Sequence, residues 1–181
     1  MVRILITVHA LVLVAALAAC DRGKPAGGKA PQVSAGIPAA LPPGLFLAAA
    51  PADARDIKDA KGALKAGDKV VLVGRIGGSE EPFVAERAIF TIVDRRVKAC
   101  GEGTAMDSCK TPWDYCCEPV DSITANSATI QVVGPEGQPV KAELNGVRGL
   151  KPLATVTVIG TVAKAEGGNL VVSASGFFVG P

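Results

Sequence analysis

Four cysteines, Cys100, Cys109, Cys116 and Cys117, crowd into one short stretch of a 181-residue chain whose only other cysteine is Cys20. Thiols this close have three chemical uses: disulfide cross-links, thiolate ligation of a metal, and redox exchange. For an exported chain, which the N-terminus argues this to be, an even number reads first as two disulfides. These staple a long loop by restricting the unfolded chain, with three pairings open. A bond between the adjacent Cys116 and Cys117 requires a strained ring, and strained disulfides are easily reduced, so that pairing points to redox work. A four-thiolate zinc site is the sharper alternative, because thiolates are soft ligands. Against it stand the lack of a C-x-x-C pair, the adjacency of two of the four, and an oxidising compartment. The expectation is therefore disulfides, without metal or cofactor.

Trp113, Asp114 and Tyr115 sit among these cysteines and include the only Trp and Tyr of the chain. Together with Arg75 they are the candidate binding surface, since amphipathic aromatics favour interfaces. The competing reading is a plug packed on the disulfides, because buried aromatics supply the most apolar area per residue. Arg75, Arg87, Arg95, Arg96 and Lys98 add positive charge near strand ends, where charge also protects sheet edges.

The N-terminus has the shape of a secretory signal over residues 1–19. Arg3 precedes an apolar run from Ile4 to Leu17 that is shorter than the roughly 20 residues of a membrane span. Leu17-Ala18-Ala19-Cys20 resembles the lipobox of bacterial lipoproteins, which implies acylation of Cys20, a membrane anchor and a location facing the periplasm or cell exterior. Residues 21–52, rich in Pro, Gly, Ala and Lys, read as a flexible linker broken by one apolar patch at Leu45, Phe46 and Leu47. Gly23, Gly28 and Lys29 match the start of a phosphate loop. Ala30 replaces the required Ser or Thr and no strand precedes, so the match carries no mechanism.

The single histidine, His9, falls in the leader, which removes the commonest general base from the mature chain. No thioredoxin-type C-x-x-C, G-x-S-x-G or H-E-x-x-H is present. Glu102, Asp107 and Asp114 lie near the cysteines, but loop spacing does not define an acid–base pair. No catalytic residue is assigned. A net charge of +2 and an aromatic content of 4% leave neither the basic groove nor the stacking platform of a nucleic-acid binder.

The elements that must position the cysteines are strands. After a short helix within Asp53 to Leu64, capped by Asp53 or Asp56, the segments 70–76, 88–93, 128–133, 155–162 and 170–178 are rich in Val, Ile, Thr and Phe. A further short strand falls at 140–144. Gly134 to Gly137 and Glu166 to Asn169 are turns, the second closing a hairpin. Val156, Val158, Gly160 and Val162 share one face against Thr155, Thr157 and Thr161, a core side and a wet side. Gly74 and Gly160, inside β-branched runs, mark bends or bulges.

This arrangement resembles the OB-fold, a five-stranded Greek-key barrel, over residues 68–179. The resemblance implies an all-β barrel domain spanning 53–181, with the cysteine-rich insert 95–126 between strands two and three. The usual helix between strands three and four is reduced to the stretch around Asn145 to Leu153. A β-sandwich is the alternative. Gly74 to Gly78, Asp94 and Cys109-Lys-Thr-Pro-Trp-Asp-Tyr-Cys-Cys117 are also similar to a group of exported bacterial proteins sharing that insert, from which no activity transfers. The expected role is a lipid-anchored, non-catalytic binding or adaptor module meeting an envelope protein or small ligand. Thiol redox or metal chemistry at Cys100 to Cys117 is the alternative, ahead of nucleic-acid binding by the barrel face.

Overall fold

The computed structural model describes residues 40–103 and 109–180. The expectations for the leader, for Cys20, for the linker up to residue 39 and for Asp107 lie outside these residues. The β-rich runs form strands close to their expected bounds: β2 Lys69–Ile76, β3 Ile89–Val93, β4 Ser127–Gln131, β5 Thr155–Glu166 and β6 Asn169–Val179. A two-residue strand, β1 Arg55–Asp56, precedes them and leads into α1, Ile57–Lys61. A second helix, α2 Val120–Ala125, ends the insert.

β2 pairs antiparallel with both β3 and β5, β3 with β4, and β5 with β6, while β4 and β6 run parallel. The β2–β5 pairing, from Lys69↔Thr161 to Arg75↔Thr155, joins the ends of the sheet, so the five strands make a closed barrel. Closure removes the exposed edges that a sandwich would keep. This is the OB-like order expected, with the insert between the second and third barrel strands. Only a single 3-10 turn, Val147–Gly149, stands where that fold usually carries a helix.

Alternation explains the interior. Val70, Leu72 and Ile76 of β2, Phe90 and Ile92 of β3, Ala128 and Ile130 of β4, Val156, Val158 and Val162 of β5, and Leu170 and Val172 of β6 form one core. The outer face of β5 is not uniformly wet, since Thr157 is buried. Gly160 marks a bulge as expected. The register against β6 shifts between Ile159 and Gly160, and a Cβ there would stand 2.4 Å from the Ser173 carbonyl oxygen. At 140–144 no strand forms; Ala142 and Leu144 instead turn into the core.

The start of the packed domain differs from the expected residue 53. Leu41 and Leu45 are buried in the same core. The Leu47 amide donates to Phe177 O at 2.7 Å and the Phe177 amide to Leu45 O at 2.6 Å, so this patch lies alongside β6. Phe46, Phe177, Phe90 and Phe83 follow one another in edge or tilted contact, with centroids 5.4 to 5.9 Å apart. The apolar patch that composition assigned to the linker is thus a strap on the barrel.

Candidate metal centre

β3 ends at Val93, and the residue that follows fastens the insert. Asp94 is fully buried. Its amide donates to Asn126 O at 2.8 Å, pinching the two ends of the insert together. Its carboxylate accepts the Lys58 amide at 2.8 Å, the Arg96 amide at 3.0 Å and the Arg96 guanidinium at 3.0 and 3.1 Å. Burial alone would raise its pKa, but these donors outweigh it and hold the carboxyl at about 2. The first turn of α1 is therefore capped by Asp94. Asp56, at the N-cap position, makes no side-chain cap and pairs with Arg95 at 2.9 Å instead.

Arg75, near the end of β2, holds the middle of the insert. Its guanidinium donates to both Glu102 oxygens and to Val97 O, and lies 5.9 Å from the centroid of the Tyr115 ring. Tyr115 packs with Val93 and Ala99 in a second, smaller core. The Trp113 carbonyl accepts the Gly78 amide at 2.8 Å, and the Trp113 indole donates to Glu80 O at 2.9 Å. A Cβ at Gly77 would stand 2.5 Å from the Trp113 carbonyl oxygen, so only glycine allows this approach.

The chain then turns sharply. Tyr115 adopts a left-handed backbone, φ 58°, and directs the next two residues back toward Cys100. The sulfurs converge there, with Cys116 Sγ 3.4 Å from Cys100 Sγ and 3.6 Å from Cys109 Sγ. One donor atom from each of Cys100, Cys109, Asp114 and Cys116 falls within 4.8 Å of all the others. Cys117 stands beside this group, its amide and its thiol both hydrogen-bonding to Cys100.

Asp114 organises the loop with both oxygens. Oδ1 accepts the Cys116 amide at 2.8 Å and Oδ2 the Thr111 hydroxyl at 2.9 Å. The Cys116 amide, assisted by Thr111, holds this carboxyl below its usual range. Burial opposes ionisation of Cys100, yet donation from Cys117, Cys116 and Cys109 brings its thiol below the ordinary value. Cys116 is pushed the other way by its hydrogen bonds to Cys100 and Cys109 and by Asp114. Crowded thiols resist losing their second and third protons, and a bound cation removes that resistance.

The expected disulfides are corrected: Cys100, Cys109, Cys116 and Cys117 form none. The anchored loop spreads the sulfurs around a common centre, well beyond an S–S bond of about 2.05 Å. The residues of the expected binding surface differ in exposure. Tyr115 is 1% exposed and the Arg75 side chain is largely covered, while Trp113 and Asp114 stand partly at the surface. Arg75, Arg95 and Arg96 are spent on Glu102, Asp56, Asp59 and Asp94. The roles of Asp94 and Gly77 as anchors were not read from the sequence. Their only signal was the co-occurrence of Gly74 to Gly78, Asp94 and the cysteine run. Comparisons with protein-family models, curated proteins and solved structures find no match for this chain.

Proposed function

We propose that this chain is a lipid-anchored envelope protein whose OB-like barrel displays a four-thiolate site for zinc. The observation that carries the reading is the convergence of Cys100, Cys109 and Cys116 at 3.4 and 3.6 Å. A tetrahedral site with Zn–S near 2.3 Å has sulfur–sulfur edges of about 3.8 Å, so small movements suffice to seat the ion. The fourth donor already within 4.8 Å of the three sulfurs is Asp114, but its oxygens are engaged, so Cys117, whose thiol hydrogen-bonds to Cys100, is assigned as the fourth ligand and must move inward to reach the ion. Asp114 uses its two oxygens on the Cys116 amide and Thr111, and acts as the residue that orients the ligand loop. Amide donation from Cys117 to the Cys100 sulfur stabilises thiolate character at the buried corner of the site.

The adjacency of Cys116 and Cys117, which counts against zinc in the sequence, is accommodated by the left-handed turn at Tyr115. The reading is of a binding protein without catalysis, with acylated Cys20 holding the barrel at a membrane. The full chain, purified under reductant, is titrated with cobalt(II) as a spectroscopic stand-in for zinc. One equivalent with thiolate charge-transfer and tetrahedral d–d bands is expected, displaced by zinc. No such bands, with the four cysteines recovered as two disulfides even after mild reduction, would sink the proposal. Replacement of Cys20 by Ala is expected to move the protein from the detergent phase to the aqueous phase, and an unchanged partition would exclude the anchor.

A further inference from the structure

We infer that the site is a redox-gated metal centre, in which oxidation joins Cys100 to Cys116 and expels the ion. The inference rests on the metal-binding reading and adds its regulation. Three observations carry it. The Cys100 and Cys116 sulfurs lie 3.4 Å apart, so bond formation shortens their separation by only about 1.4 Å, to about 2.05 Å. The two differ in access: Cys100 is buried, whereas Cys116 is exposed on the insert and open to an oxidant. The loop that carries Cys116 is fixed at Trp113 and Tyr115, which holds the sulfur beside its partner throughout.

The oxidant class is a hydroperoxide. Metal binding has taken the proton from Cys116, whose thiolate attacks the outer oxygen of hydrogen peroxide, the simplest member of the class; the O–O bond breaks, and a sulfenic acid and one hydroxide form. The Cys100 thiolate then attacks the Cys116 sulfur, an S–S bond forms, the S–O bond breaks, and a second hydroxide leaves. Two thiolates lose two electrons and one peroxide gains them. A zinc ion left with the Cys109 and Cys117 thiolates has lost half its donor set and dissociates. Dithiol reductant reverses the bond and restores the site.

The test uses the full chain, loaded with zinc, freed of reductant and treated with hydrogen peroxide beside a chromogenic zinc indicator. Zinc is expected to appear in step with the loss of two thiols per chain. A Cys100–Cys116 cross-linked peptide should accompany the release, and reduction should restore uptake. Zinc retained through thiol oxidation, or released together with sulfinic acid or a different pairing, overturns the switch and leaves the metal reading standing. A reduced chain that takes up no zinc fails at the first step and removes both.

Discussion

The Trp113 carbonyl accepts the amide proton of Gly78 at 2.8 Å, which ties the cysteine-bearing loop to the turn that follows the first barrel strand. Backbone-to-backbone anchoring of this kind is insensitive to side-chain rotamers. It places Tyr115 over Arg75 and leaves the thiols grouped at the mouth of the insert. The rigid barrel thereby supplies the precision that a loop alone lacks.

Gly77→Ala tests that anchor. A methyl group 2.5 Å from the Trp113 carbonyl oxygen must displace the insert. A loss of about 1–3 kcal/mol is expected, together with weaker cobalt binding and unchanged far-ultraviolet circular dichroism of the barrel. Thermal unfolding and metal titration read the two effects, and unaltered metal affinity would show that the turn does not position the site.

Asp94 links the insert to α1, and its replacement by Asn should remove about 2–3 kcal/mol at neutral pH. Its folded pKa, about 2, lies below the ordinary 3.8, so its stabilisation is present above the unfolded value and is lost as pH falls through about 2. Acid unfolding of the two proteins checks the sign. The stability gap between wild type and Asp94→Asn should narrow from pH 5 to pH 2 on the order of the full difference.

Asp114 is expected to orient rather than ligate. Asp114→Asn keeps an oxygen for the Cys116 amide and should retain one metal equivalent. Asp114→Ala should weaken binding roughly 10- to 100-fold. Competition against a chelator of known affinity measures both, and equal losses in the two variants would make the carboxylate a ligand.

Leu45 belongs to the barrel core although it precedes the strands. It is 2% exposed, and Leu45→Ala should cost about 2–5 kcal/mol. Chemical denaturation is the check, and a change within about 0.5 kcal/mol, typical of surface positions, would return the strap to the linker.

Removing the metal should loosen the insert and spare the barrel. With a zinc chelator, amide exchange is expected to rise at 95–103 and 109–119 while β2, β5 and β6 keep their protection. Uniform exchange across the chain would mean that metal binding and barrel folding are one transition.

The sequence by itself determined the strands, the hairpin turn at Gly167 and Gly168, the bulge at Gly160 and the position of the insert. Each follows from patterns within a few residues: β-branched alternation, paired glycines, and a long break between two apolar runs. Barrel closure needed the tertiary structure, because Lys69↔Thr161 and Arg75↔Thr155 join segments with no local signal of each other. The strap at Leu45 was misread for the same reason, since its partner is Phe177. The chemistry of the cysteines was likewise a tertiary matter. Their number and spacing suit a pair of disulfides as well as a metal site. Arg75, Gly77 and Asp94 hold the loop from positions distant in the chain, and the Cys116 sulfur lies 3.4 and 3.6 Å from those of Cys100 and Cys109 in the folded protein.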